Sequence, residues 1–192
     1  MKRIAIFASG GGSDMQSVID GCESGLIDGK VVAVVTNKDG IGALDRAEKH
    51  GIESKVYKLG DYEDAEDRDR AIIEYLSEKE VELVVLAGYL AIVTPCLVDK
   101  YRGKIINIHP SLIPKFCGKG MYGLKVHTAV LEAGEKESGA TVHFVDEGAD
   151  TGEIIAQVKV PVLEGDTPQT LQERVLIQEH ILLPSVVAKL CK

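Results

Sequence analysis

Apolar runs alternate with amphipathic stretches along most of this chain. Ile4, Ala5, Ile6, Phe7 and Ala8 form an unbroken apolar run that predicts a strand buried on both faces. A turn of Ser9 and three glycines follows. Ser13 is expected to cap a helix to about residue 23, with Met15, Val18 and Ile19 on one side. Residues 31–35 predict a second strand, residues 41–50 a helix stopped at Gly51, and residues 54–57 a short third strand. Residues 61–79 predict one charged helix whose apolar stripe is Ala71, Ile72, Tyr75 and Leu76. Residues 83–87 and 105–108 give a fourth and a fifth strand. The pattern implies an α/β fold: a doubly wound, mostly parallel sheet covered on both faces. In the last third, residues 124–133 predict a helix, and residues 140–145 and 154–160 an antiparallel strand pair. A long C-terminal helix over residues 168–190 is expected to be interrupted by Pro184. No linker or repeat divides the chain, so residues 1–192 read as a single domain.

Composition narrows the chemistry. A net charge of −8 argues against a broad basic surface for nucleic acid. No segment approaches a membrane span, and the apolar run after Met1-Lys2-Arg3 stops too early for a signal peptide. Cys22, Cys96, Cys117 and Cys191 are scattered without zinc spacing, so no metal is expected. These features suit a soluble, cytoplasmic protein.

Ligands of such a sheet bind beyond the carboxyl ends of its strands. Three candidate groups fall there. Ser9 to Ser13 presents backbone N–H groups at a helix start, suited to a phosphate. The turn lacks the third dinucleotide glycine, since Asp14 and Met15 follow, and it has no Gly-Lys-Ser/Thr; a phosphomonoester fits better than a dinucleotide or ATP. Asn107 and His109, two apart at a strand end, point to one face and offer an oxyanion donor and a proton carrier. Asp150 lies in the turn Asp146, Glu147, Gly148, Ala149, Asp150, whose acids are equally explained as turn formers. Leu86 to Leu90 is either a plain strand end or one wall of a slot for a flat ring. His143, between Val142 and Phe144, reads as buried and structural or as support for the site. His50 and His127 read as helix-surface residues; Gln178-Glu179-His180 reads as a solvated helix face with a structural His180, or as an acid placed to grip a cationic or hydroxylated substrate.

Several stretches together resemble the phosphoribosylglycinamide formyltransferases, folate-dependent enzymes of purine biosynthesis. They are Ser9-Gly10-Gly11-Gly12-Ser13, Val85-Leu86-Ala87-Gly88-Tyr89, Asn107-Ile108-His109-Pro110-Ser111, Asp150-Thr151-Gly152 and Gln178-Glu179-His180. The resemblance covers essentially the whole chain. It implies a Rossmann-like formyltransferase fold, a monomer or homodimer, small-molecule substrates, and 10-formyltetrahydrofolate as co-substrate. It further implies that Gly12, Ser13 and Asp14 hold the substrate's phosphate, and that Leu176 and Glu179 contact its sugar and glycinamide. The donor's pterin would lie against Leu86, Leu90, Ala91, Ile92 and Val93, closed over by Asp146, Glu147, Gly148, Ala149 and Asp150. Asn107 would bind the formyl oxygen, His109 would donate a proton, and Asp150 would raise the pKa of His109. Two family arginines are replaced by Ala65 and Ala91; Arg68, one helical turn from Ala65, is the expected substitute. Transfer to methionyl-tRNA, hydrolysis of the formyl folate, formylation of an amino-sugar nucleotide and a silent binding module are the alternatives. The first would need a basic RNA-binding domain and the second an N-terminal regulatory domain, neither of which is expected here.

Overall fold

A computed structural model describes residues 1–192. Seven strands form one sheet in the order β3-β2-β1-β4-β5-β6-β7. β1 (Lys2–Ala8), β2 (Gly29–Thr36), β3 (Ser54–Val56), β4 (Leu83–Leu86) and β5 (Ile105–His109) run parallel. β6 (Glu137–Phe144) and β7 (Ile154–Pro161) are antiparallel, as the C-terminal pattern implied.

The period of two in each buried strand sorts its side chains between two cores. Ile4, Ile6 and Ala8 of β1 face α1 (Ser13–Glu23), α2 (Gly42–Lys49), α5 (Leu124–Glu132) and α6 (Pro168–Leu190); Ala5 and Phe7 face α3 (Ala65–Glu78) and α4 (Pro95–Lys100). The strand order reverses between β1 and β4, which opens a crevice beyond their carboxyl ends. There the Ser9 N–H donates to Gly88 O at 3.0 Å, and the Leu90 N–H to Ser9 Oγ at 2.8 Å. These bonds tie the two loops that border the crevice.

Three expectations need correction, and one helix was not anticipated. Gly12, at φ +75°, is the residue before α1, and Ser13 is already helical. A Cβ at Gly12 would sit 3.0 Å from Ala43 Cα and Cβ, so both the left-handed backbone and the close helix approach require glycine. The charged helix over 61–79 is a 3-10 turn at Leu59–Asp61 and then α3, because the Asp64 carboxylate accepts the Asp67 N–H at 2.8 Å and caps it. α4 was not anticipated; six residues are too few for a clear helical period. Pro184 does not interrupt α6: one helix runs from Pro168 to Leu190, with Pro184 buried and facing Gly21 of α1. The missing N–H costs one backbone bond, and dense packing along α6 offsets it.

Candidate active site

Asn107 and His109 share the strand face of Ile105, and β5 delivers both to the crevice. In the antiparallel register Asn107 lies opposite His143, and His109 opposite Thr141. Asp150 sits at φ +58°, a conformation that Asp tolerates better than most residues. Its carboxylate reaches all three polar side chains. Oδ1 is 3.4 Å from Asn107 Nδ2 and 3.5 Å from His143 Nε2, and Oδ2 is 3.7 Å from His109 Nδ1. The loop after β5 closes the group: the Gly118 N–H donates to Asp150 Oδ2 at 2.8 Å, and His109 Nε2 is 2.8 Å from Phe116 O.

Partners fix the tautomers. Phe144 O, 2.8 Å from His143 Nδ1, can only accept, so Nδ1 carries the proton. While the ring is neutral, Nε2 of His143 can only accept, here from Asn107 Nδ2 at 3.1 Å, and that bond with the Asp150 contact sets which way the amide points. His109 donates through Nε2 to Phe116 O, leaving Nδ1 toward Asp150. Protonation of Nδ1 would complete an ion pair.

The charges respond to burial. His109 is 5% exposed, and burial holds its pKa below the ordinary imidazole value; the Phe116 carbonyl and Asp150 act upward but are outweighed. The upward pull expected of Asp150 is present, and burial exceeds it. Burial raises Asp150 in turn, but the His143 ring in its protonated form, the Gly118 N–H and the charge on protonated His109 bring it below the usual carboxylate range.

On the other side of the crevice, α1 has no side-chain cap, so its first N–H groups are free to meet an anion. Arg46 stands beside this turn, donating from Nε to Gly11 O at 2.9 Å. The sequence offered no sign of it, since Arg46 comes from α2, thirty-five residues from Gly11. Asp14 and Glu179 meet where α1 packs on α6. Glu179 is 6% exposed rather than on a solvated face; burial, then the Asp14 charge, raises its pKa well above the carboxylate range. Burial pushes Asp14 up to about 6. His180 Nε2 lies 3.6 Å from Asp14 Oδ1, and Leu176 is half-buried one turn before Glu179.

The residues expected to line a ring slot fall into two groups. Leu90 and Ile92 are exposed apolar side chains at the mouth, at 49% and 78%, and Ala91 and Val93, alternating with them, are half-buried. Leu86 instead belongs to the core under α3. In the loop after β6, Asp146 Oδ1 accepts from Gly148 N and Thr151 Oγ1 at 3.0 and 2.6 Å, so Asp146 serves the turn itself. Glu147 pairs with Arg102 at 2.5 Å, and Gly148 and Ala149 are exposed. Arg68 is not a free cation near Ala65: it is 2% exposed and bound to Asp69. His127 is buried rather than on the surface, its pKa pushed down to about 4 by burial and then by His109. His50 is also not a free surface residue; it lies 2.9 Å from Gln16 Nε2 and 2.7 Å from Glu23 Oε1.

Residues 2–187 match the family described as formyl transferase. The chain is 43% identical over 192 residues to the chloroplastic phosphoribosylglycinamide formyltransferase of Arabidopsis thaliana, covering all of this chain and 66% of that protein. It is 40% identical over 187 residues to the phosphoribosylglycinamide formyltransferase of Haemophilus influenzae, covering 97% of this chain and 86% of that one. It spans only 13% of the trifunctional purine biosynthetic protein adenosine-3 of Chironomus tentans, at 44% identity. Among solved structures, glycinamide ribonucleotide transformylase 1 from Symbiobacterium toebii superposes with a TM-score of 0.94 at 38% identity, covering 100% of this chain and 88% of that one. Matching in sequence over nearly its whole length and in fold, the chain belongs to the formyl transferase family, and within it to the phosphoribosylglycinamide formyltransferases.

Proposed function

We propose that residues 1–192 form one formyltransferase domain that acts in the cytoplasm. It moves the formyl group of 10-formyltetrahydrofolate to the amine of 5'-phosphoribosylglycinamide, giving the N-formyl product and tetrahydrofolate in de novo purine biosynthesis. The observation that carries this reading is the meeting of Asn107, His109 and Asp150 beside the crevice bordered by the Gly10–Gly12 turn and the Leu90–Val93 segment. An amide donor, an imidazole and a carboxylate are what acyl transfer to an amine requires.

In the proposed step the amine nitrogen bonds to the formyl carbon, and negative charge grows on the formyl oxygen. Asn107 Nδ2 is the donor for that oxygen. Its contact to Asp150 is long, at 3.4 Å, and is exchanged more readily than the 3.1 Å bond to His143. Protonated His109 is the second donor, and exchange of its Phe116 contact on ligand entry frees the Nε2 proton. One such donor is worth roughly 3–4 kcal/mol in the transition state. The bond from the formyl carbon to the folate nitrogen then breaks. That nitrogen takes up a proton while the attacking nitrogen gives one up, with Asp150 balancing the charge on His109. Gly12, Ser13 and Asp14 border the phosphate, while Leu176 and Glu179 border the sugar and glycinamide. The pterin lies along Leu90, Ala91, Ile92 and Val93.

The test is to incubate the protein with glycinamide ribonucleotide and a 10-formyl folate analogue and to follow the absorbance of deformylated folate. Release only when the amine is present supports transfer. Release without the amine points to hydrolysis, and no release at all to a binding module.

A further inference from the structure

Arg68 and Asp69 are adjacent on α3 and both nearly sealed from solvent, at 2% and 1% exposure. A buried charge pair is costly unless its hydrogen bonds are satisfied. Here the bonds lead in one direction. Arg68 Nε and Nη2 donate to Asp69 Oδ1 at 2.9 and 2.7 Å. Arg68 Nη2 also donates to Ile92 O at 2.6 Å. Asp69 Oδ2 accepts from the Thr94 N–H at 2.7 Å and from Thr94 Oγ1 at 2.8 Å. Two side chains of one helix thus grip the backbone of residues 92–94 at two points, an acceptor and a donor.

Elsewhere in that segment Tyr89 and Val93 pack against the core, but no other side chain binds the backbone of residues 91–93. Residues 87–94 belong to no helix or strand, and Leu90 and Ile92 project into solvent rather than into the core. At the near end it is tied to β1 and the turn after it, by the Ala87 N–H to Phe7 O, the Ser9 N–H to Gly88 O and the Leu90 N–H to Ser9 Oγ. We propose that the Arg68–Asp69 pair is a positioning device for the formyl donor: it holds the Leu90–Val93 wall at the height where a flat heterocycle can lie against it. The pair touches no substrate and acts through the Ile92 carbonyl and Thr94. This rests on the reading of that wall as the donor site.

Arg68→Lys keeps the charge beside Asp69 but loses the planar fork that serves Asp69 and Ile92 together. Loss of one charge-assisted bond to the wall should raise the donor KM about tenfold. The amine KM and the pH profile should stay within about twofold, and kcat at saturating donor within about threefold. Thr94→Val, which removes one bond on the Asp69 side, should move the same constant in the same direction by a smaller factor. Binding of a 10-formyl folate analogue without the amine, followed by fluorescence, should weaken in parallel. An unchanged donor KM and analogue Kd in folded variants would overturn the proposal. So would equal losses in both KM values and kcat, the mark of a general structural defect. If the unmodified protein binds no folate analogue, the donor-site reading fails first and the proposal falls with it, an outcome distinct from a variant that binds as well as its parent.

Discussion

Asn107 and His143 face each other across the β5–β6 pair, and the Asn107 amide nitrogen lies 3.1 Å from His143 Nε2. His143 Nδ1 is spent on its neighbour's carbonyl, so Nε2 can only accept while the ring is neutral, and the amide must point its N–H groups into the site. His143→Phe keeps much of the buried volume and removes the acceptor. kcat should fall about 10- to 100-fold, the range expected for an oriented donor that becomes free to turn. A double-mutant cycle with Asn107→Ala checks the route: if His143 acts through Asn107, the two losses should not add. Full additivity would mean that His143 acts separately.

His109 is placed as proton donor and second oxyanion donor. His109→Ala should lower kcat by about three to four orders of magnitude in the formyl-transfer assay. Turnover like that of the parent would remove His109 from the mechanism.

Asp150 favours the charged imidazole from 3.7 Å, while burial favours the neutral one. The active form carries a proton on His109, so the His109 limb of the rate profile falls as pH rises through its pKa. Asp150→Asn removes the upward pull and leaves burial unopposed by that charge. This limb should move to lower pH, and kcat at neutral pH should drop. A profile that keeps its midpoint would reduce Asp150 to a turn former.

Asp14 supplies a stability test. Burial raises its carboxyl from 3.8 to about 6. A carboxyl raised on folding adds stability below its unfolded pKa, because the native state holds the proton. That contribution is lost as pH rises from about 4 through about 6. Asp14→Asn removes the titration. The variant should unfold at a higher temperature than the parent at pH 8, by an amount worth up to about 3 kcal/mol. The two should converge below about pH 4. An equal difference at both pH values would show that charge on Asp14 is not the cause.

Much of this architecture was legible from periodicity. Continuous apolar runs announced the inner strands, and the half-exposed alternation of residues 154–160 announced an edge. Boundaries were less legible where a single side chain decides them: the Asp64 cap shortens α3, and Gly12 displaces Ser13 from the capping position. The histidines were the weakest part of the reading. His127 lies on a short helix whose buried side depends on contacts far away in sequence, so its position said nothing of its burial. Arg68 looked available because it is a cation near Ala65. Only the path of residues 92–94 past α3 shows that it is occupied.

By itself the sequence determined the order of elements, the parallel sheet, and the placing of Asn107 and His109 on one face, because strand and helix periods are local properties of the backbone. Their chemistry could be named from the same two residues. The tertiary structure decided who their partners are. Asp150 is forty-three residues from Asn107 and His143 thirty-six, and their meeting depends on strand register and loop path, which residue spacing does not encode. It also decided the balance of charge: burial, a property of the whole fold, outweighs Asp150 at His109 and raises Asp14 and Glu179 together.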